Sequence, residues 1–308
     1  MFVVSGEALM DVFGSDETPH GLQLDARIGG SPLNVAIGLA RLAQPVAFFG
    51  ALSTGFLGQR LQRALHDEGV DTRAVARLDA PTTLGLVGLD AAGVPSYAFY
   101  GHGCADRLLP LDALAAVPAA ARAFHFGSYA MVVEPVAATQ RALVEREHGR
   151  SLIAYDPNIR LNVEPDIGRW RDTLQWMLPR THLLKVSEED LGLLYPGRAL
   201  QELAGAWTAQ GVAWVVVTRG AEGASAWSAT QALQVDPVRV AVADTVGAGD
   251  TFQAALLTAL AERDAQTPQR LRELPVMAMR EVLDFASRAA AITCSRRGAD
   301  LPRRGELG

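Results

Sequence analysis

The chain alternates short continuous apolar runs with segments whose apolar residues recur every three or four positions, the pattern of buried strands feeding amphipathic helices. Phe2-Val3-Val4 and the runs at 45–50, 122–127, 152–155, 183–186 and 212–218 read as core strands, while 58–68, 135–147 and 275–295 read as helices. The later strand ends carry polar clusters: Asp156-Pro157-Asn158-Ile159-Arg160, Ser187-Glu188-Glu189-Asp190 and Arg219-Gly220-Ala221-Glu222-Gly223. Polar clusters at successive strand C-termini, joined by helices, predict an α/β fold with a mostly parallel sheet and one active edge. Runs at 82–90 and 96–100 flank the turn signal Ala91-Ala92-Gly93-Val94-Pro95 and break this rhythm. They predict a hairpin in a small separate sheet, either a lid or a plain decoration.

Two glycine-rich helix starts stand out. In Gly29-Gly30-Ser31-Pro32-Leu33-Asn34, Ser31 suits an N-cap and Pro32 the first helical position, with Ala36, Ile37 and Ala40 continuing one face. The paired glycines make either a tight turn or a place where backbone meets a ligand, and Asn34 can donate and accept toward vicinal hydroxyls. In Asp244-Thr245-Val246-Gly247-Ala248-Gly249-Asp250-Thr251-Phe252, the spacing of Phe252, Ala255, Leu256, Ala259 and Leu260 puts the glycine turn at a helix N-terminus. The unpaired N–H groups of 246–249 and the helix dipole then favour an anion. A carboxylate beside a bound phosphate is explained if Asp250 takes a proton from an attacking hydroxyl; the alternative is a plain helix start with Asp250 complementing the dipole. Asp11, just beyond the first strand, is either a sugar-orienting acceptor or a solvated loop acid.

With 308 residues and 49% hydrophobic content the chain can bury a large core, and a net charge of −6 without a basic block argues against nucleic acid as a partner. Cys104 and Cys294 make no disulfide framework or metal spacing, as expected of a cytoplasmic protein, and no stretch reaches the length of a membrane span. Of 28 basic residues only Lys185 is a lysine, and it follows Leu183-Leu184 rather than a glycine loop, so a P-loop is excluded. No GxGxxG follows a strand, so a nicotinamide-binding dehydrogenase lacks its main motif.

Gly-Gly-Ser-Pro-Leu-Asn-Val-Ala at 29–36, the 244–252 segment, 156–160, Thr218-Arg219-Gly220 and the tail Arg296-Arg297-Gly298-Ala299 together resemble the ribokinase-like, PfkB-type carbohydrate kinases over nearly the whole chain. The resemblance implies one domain, 1–308, of three-layer α/β/α form, with a central mostly parallel sheet and a small β-sheet lid contributed by about 12–28 and 81–101. It implies that Asp250 is the catalytic base and that the amides of Gly247, Ala248 and Gly249 form an anion hole for the γ-phosphate of ATP. Asp11, Gly29, Gly30 and Asn34 resemble sugar-binding positions, with Tyr97, Phe99, Glu134 and Arg160 facing the sugar or the transferred phosphate. Lys185, Ser187, Thr218, Arg219, Gly220 and Gly223 resemble the nucleotide wall. Ala286 and Ala289, in the small-residue run of the last helix, serve either an adenine or close helix packing. Asp190, with Glu189 as a substitute, stands where the family organises Mg²⁺ through water, although Ser187 and Asp190 depart from its Asn-x-x-Glu pattern. Asp244, Val246, Ser295 and Gly298 are the candidate donors for a K⁺ ion.

Within the family, 156–160, 185–189, Tyr97-Ala98-Phe99-Tyr100 and Ala105-Asp106 look most similar to bacterial fructokinases. A 2-keto-3-deoxygluconate kinase, which must converge an arginine and a tyrosine on the sugar's carboxylate, is the alternative, and a catalytically silent sugar or nucleotide sensor is a third reading. His102 either reaches the sugar or sits in an exposed turn. A homodimer formed through the lid is expected from the resemblance.

Overall fold

The computed structural model describes residues 1–89 and 95–308, without the side chains of 15–18, 89 and 95–97. Its main sheet has nine strands: β1 (Phe2–Ser5), β4 (Val46–Ser53), β5 (Val75–Leu78), β8 (Ala123–Gly127), β9 (Leu152–Asp156), β10 (Leu183–Ser187), β11 (Trp214–Thr218), β12 (Ala224–Trp227) and β13 (Ala232–Val235). The spatial order is β13-β12-β11-β10-β9-β8-β1-β4-β5, parallel from β11 to β5 and antiparallel at β12 and β13. All six apolar runs read from the sequence lie in it, and the C-terminal ends of β1, β8, β9, β10 and β11 share one edge.

Each central strand is apolar on both sides because helices cover both faces. Phe2, Val4, Phe48 and Val216 face one apolar cluster, shared with α1 (Ser31–Arg41), α7 (Ala248–Ala261) and α9 (Val276–Cys294). Val3, Phe49, Phe124, Val215 and Val217 face the other, shared with α3 (Val136–Glu147), α4 (Ile167–Met177) and α6 (Leu200–Thr208). Alternation within a continuous apolar run thus divides one strand between two cores, and each fully buried Phe or Leu is worth roughly 1.5–3 kcal/mol. Further helices are α2 (Phe56–Asp67), α5 (Glu188–Leu194) and α8 (Pro268–Arg272). None among the described residues is long and apolar enough to cross a membrane.

A second, four-stranded sheet carries β2 (Leu9–Thr18), β3 (Gly21–Gly29), β6 (Leu84–Leu89) and β7 (Pro95–Tyr100) in the order β3-β2-β6-β7. The expected hairpin is present as the antiparallel β6–β7 pair, while its turn at 90–94 lies outside the described residues. The β2–β3 pair had no strand signal in the apolar pattern, because β3 from Gly21 to Arg27 is exposed throughout.

Candidate active site

The glycine turn at 247–249 opens α7. Gly247 caps the helix with φ 77, and a Cβ there would also stand 2.6 Å from Ala299 Cβ, so the C-terminal tail braces the turn. Asp244 holds the two together: its carboxylate accepts the Val246 N–H at 3.1 Å and the Gly298 N–H at 2.8 Å. Burial alone would raise the Asp244 carboxyl, but these donors and the Thr245 N–H outweigh it and hold it below the ordinary value. Ser295, the remaining K⁺ candidate, turns its hydroxyl back onto Ile292 O at 2.7 Å. Asp244, Val246 and Gly298 are therefore brought together, and the Ser295 side chain is engaged elsewhere.

The expectation of a run of free amides is sharpened by the hydrogen bonds. The Val246 N–H goes to Asp244, and the Ala248 N–H to Thr245 O at 3.2 Å, leaving those of Gly247 and Gly249 for a ligand among the described residues. The missing charge comes from β10. Lys185 Nζ lies 3.3 Å from where a Cβ on Gly249 would stand, so the chain's one lysine delivers its ammonium beside the turn from a neighbouring strand. It is held there by a buried ion pair with Asp156 Oδ2 at 2.8 Å, both side chains 4% exposed.

Asp250, in the first turn of α7, meets the other glycine motif. Its carboxylate accepts from Ser31 Oγ at 2.6 Å and from Asn34 Nδ2 at 2.8 Å. Ser31 is not the N-cap. Gly30 caps α1 with φ 107, a region closed to serine, and Ser31 sits one residue into the helix with its hydroxyl drawn to Asp250. Burial raises the Asp250 carboxyl above its ordinary value, opposed by these two donors and by Lys185 and Arg160. A carboxylate so placed retains more affinity for a proton than a solvated aspartate.

Asp11 faces the same place. Its Oδ2 lies 2.2 Å from where a Cβ on Gly29 would be, and its Oδ1 2.9 Å from the corresponding point on Gly85, which Phe99 Cζ approaches to 3.2 Å. Both glycines thus make room for the carboxylate, and Phe99 flanks it. Burial lifts Asp11 to about 6, against the pull of Arg160, with the negative charge of Asp250 adding to the rise. Arg160, exposed and bonded to Ile159 O, acts at once on Asp11, Asp250, Asp190 and the buried Glu7.

Ser187 and Thr218, both expected on a nucleotide wall, are register neighbours at the ends of β10 and β11. The turn after Thr218 reverses the chain into β12, with Gly223 at φ 84 and Arg219 paired to Glu222 at 2.5 Å and Glu188 at 3.4 Å. Gly220, at φ 52, belongs to the same turn. Asp190 is buried, accepts the Ile159 N–H at 3.2 Å and is lifted to about 6, chiefly by burial and next by the charge of Asp156. Glu189 faces solvent. Among the described residues Asp156 Oδ1 is buried without a hydrogen-bond partner, and the charge of Asp156 acts on Asp190, so the acid near Asp190 in the site is Asp156 rather than Glu189.

Two open readings are decided and one expectation is corrected. Ala286 and Ala289 are fully buried in the core shared by α7 and α9, leaving neither side chain any surface for an adenine; the small-residue run serves helix packing. Glu134 pairs with Arg141 at 2.9 Å and caps the Ala138 N–H at 3.1 Å, because it precedes α3 and the helix start claims its carboxylate. His102 is exposed in its turn. The Tyr97 side chain lies outside the described residues. Sequence reasoning missed Ser31 as a donor, Gly85 as part of the Asp11 cradle and Asp156 as the partner of Lys185; only the last had a signal, a lone charge inside an apolar strand.

Residues 1–304 match the pfkB family carbohydrate kinases. A fructokinase of Rhizobium leguminosarum bv. trifolii is 34% identical over 304 residues, which cover 99% of this chain and 91% of that protein. The crystal structure of a Xylella fastidiosa fructokinase with bound ATP superposes with a TM-score of 0.89 at 25% identity, covering 99% of this chain and 96% of that one. A Vibrio cholerae O395 fructokinase in its fructose, ADP and calcium ion bound form gives 0.83 at 25% identity, covering 99% and 97%. With the family matched along 304 residues and both glycine motifs converging on Asp250, this chain belongs to the pfkB family of carbohydrate kinases.

Proposed function

We propose that this kinase transfers the γ-phosphoryl group of ATP to the C6 hydroxyl of D-fructose. The observation that carries the mechanism is the meeting of Asp250 with Ser31 and Asn34 beside the Gly247–Gly249 turn. The sugar lies between Asp11, Asn34 and Phe99, with its reacting hydroxyl against Asp250. Asp250 accepts the hydroxyl proton, the oxygen attacks the γ-phosphorus, and the bond to ADP breaks. The amides of Gly247 and Gly249 and the Lys185 ammonium stabilise the charge on the transferring group. Support for fructose comes from the fructokinase relatives at 34% and 25% identity. A 2-keto-3-deoxygluconate kinase remains the second reading because Arg160 is available to a carboxylate.

A divalent cation fits the buried carboxylates of Asp156 and Asp190, one of them with an unpartnered oxygen. Among the described residues no three acids or imidazoles cluster, which suits Mg²⁺ held largely by phosphate oxygens and water. It supplies charge neutralisation to the phosphates. Asp244, Val246 and Gly298 offer oxygen donors for K⁺. The four-stranded sheet acts as the lid, and its edge strand β3 exposes Leu22 and Leu24, each 54% accessible, as the surface of a homodimer. The reaction belongs in the cytoplasm, in keeping with two unpaired cysteines.

ADP release with Mg²⁺ and ATP, measured across fructose, glucose, ribose and 2-keto-3-deoxygluconate, tests the assignment. Fructose should give the highest kcat/KM. Turnover confined to the keto-deoxy acid would replace fructose with the second reading, and sugar binding without ADP release would mark a silent sensor.

A further inference from the structure

Resting on the fructose reading, we propose that Arg107 is a specificity-determining residue of the sugar site, donating hydrogen bonds to the hydroxyls at the end of the sugar remote from Asp250. Asp11, Gly85 and Phe99 form one cross-strand row of the small sheet, paired Asp11 to Gly85 and Gly85 to Phe99. In-register neighbours point to one side, so this row marks the face that holds the Asp11 carboxylate. Two residues beyond Gly85 and Phe99, and one past the ends of β6 and β7, stand Thr83 and Gly101, roughly 7 Å from the first row by strand rise, about the length of a hexose.

Arg107 fills this second row. Its guanidinium lies where a side chain on Gly101 would project: Nη2, Cζ and Nε stand 2.2, 2.5 and 2.6 Å from that Cβ point. It rests over the Tyr129 ring at 5.3 Å. Among the described residues no hydrogen bond joins Arg107 to the neighbouring acid: Asp106 feels its charge but accepts from Thr83 Oγ1 at 2.5 Å and Tyr129 Oη at 2.9 Å. Arg107 Nε is buried and finds no acceptor among the described residues. Thr83, Asp106 and Tyr129, each nearly inaccessible, form a rigid seat under a half-buried guanidinium with donors to spare.

The test uses the full-length enzyme and three variants: Arg107→Met, Gly101→Ala and the double substitution. Arg107→Met removes the donors; Gly101→Ala keeps the arginine and pushes its guanidinium aside. Each single change should raise the KM for fructose about tenfold, the scale of a charge-assisted hydrogen bond, with kcat and the KM for ATP within about twofold of wild type. The double variant should be no worse than Arg107→Met, because Gly101 acts only through Arg107. Unchanged fructose KM in a folded Arg107→Met enzyme, or additive losses in the double variant, would overturn the proposal. If Arg107→Met fails to fold, Gly101→Ala alone decides it by the same KM criterion. Wild-type enzyme inactive on fructose would instead reject the fructose reading itself.

Discussion

Asn34 and Asp250 stand 216 residues apart in the chain and meet at 2.8 Å, with Ser31 completing the grip on the other carboxylate oxygen. Hydrogen bonds to a carboxylate favour its charged form, so these donors restrain the rise that burial imposes on Asp250. Ser31→Ala should therefore shift the acid limb of the kcat profile to higher pH and lower kcat at a given pH on that limb by roughly tenfold. A kcat–pH profile superimposable on wild type would show that Ser31 does not tune the base.

The pH dependence of the sugar step follows from Asp11 and Asp250 together. Both must be ionised, Asp250 to receive a proton and Asp11 to accept from sugar hydroxyls, and protonation disables each. Asp11 stands at about 6 and Asp250 is also raised, so kcat/KM for the sugar should fall as pH drops through about 6 rather than near the ordinary carboxylate value of about 4. The measurement is kcat/KM from pH 4 to 8 at saturating ATP. A limb at the ordinary value would contradict the buried, mutually repelling arrangement.

The Lys185–Asp156 pair makes separable predictions for stability and rate. Lys185→Met leaves a buried carboxylate unpaired and should cost about 3–5 kcal/mol of stability, most of which the double variant with Asp156→Asn should recover. Activity should not recover, since the ammonium beside Gly249 is gone and the double variant also lacks the Asp156 carboxylate proposed for the divalent cation; kcat should stay roughly 100-fold or more below wild type in both. Denaturant melts and single-turnover rates on the two variants distinguish the roles. Restored turnover in the double variant would reduce Lys185 to a structural residue.

Much of the fold was legible because the central strands are buried on both faces and so appear as unbroken apolar runs. The exposed β3 strand carries no such imprint and was reached through the family resemblance alone. The placement of the candidate site was legible where a helix start demands a residue type, as at Gly247 and Asp250, and illegible where a contact depends on which way a side chain turns. Ser31 looked like a cap until the φ of Gly30 gave that place to glycine. Glu134 and Glu189 had the right charge, but a helix start claimed one and solvent the other. Ala286 and Ala289 fitted adenine or packing equally well from sequence, and only burial separated the two.

The central claim is that Asp250 takes the proton from the attacking hydroxyl. Asp250→Asn keeps the size and the contacts to the helix start while removing the base. Fructose-dependent ADP release by this variant should fall at least about 100-fold, with fructose affinity by calorimetry within a few-fold of wild type. Near-normal turnover in Asp250→Asn would contradict the account.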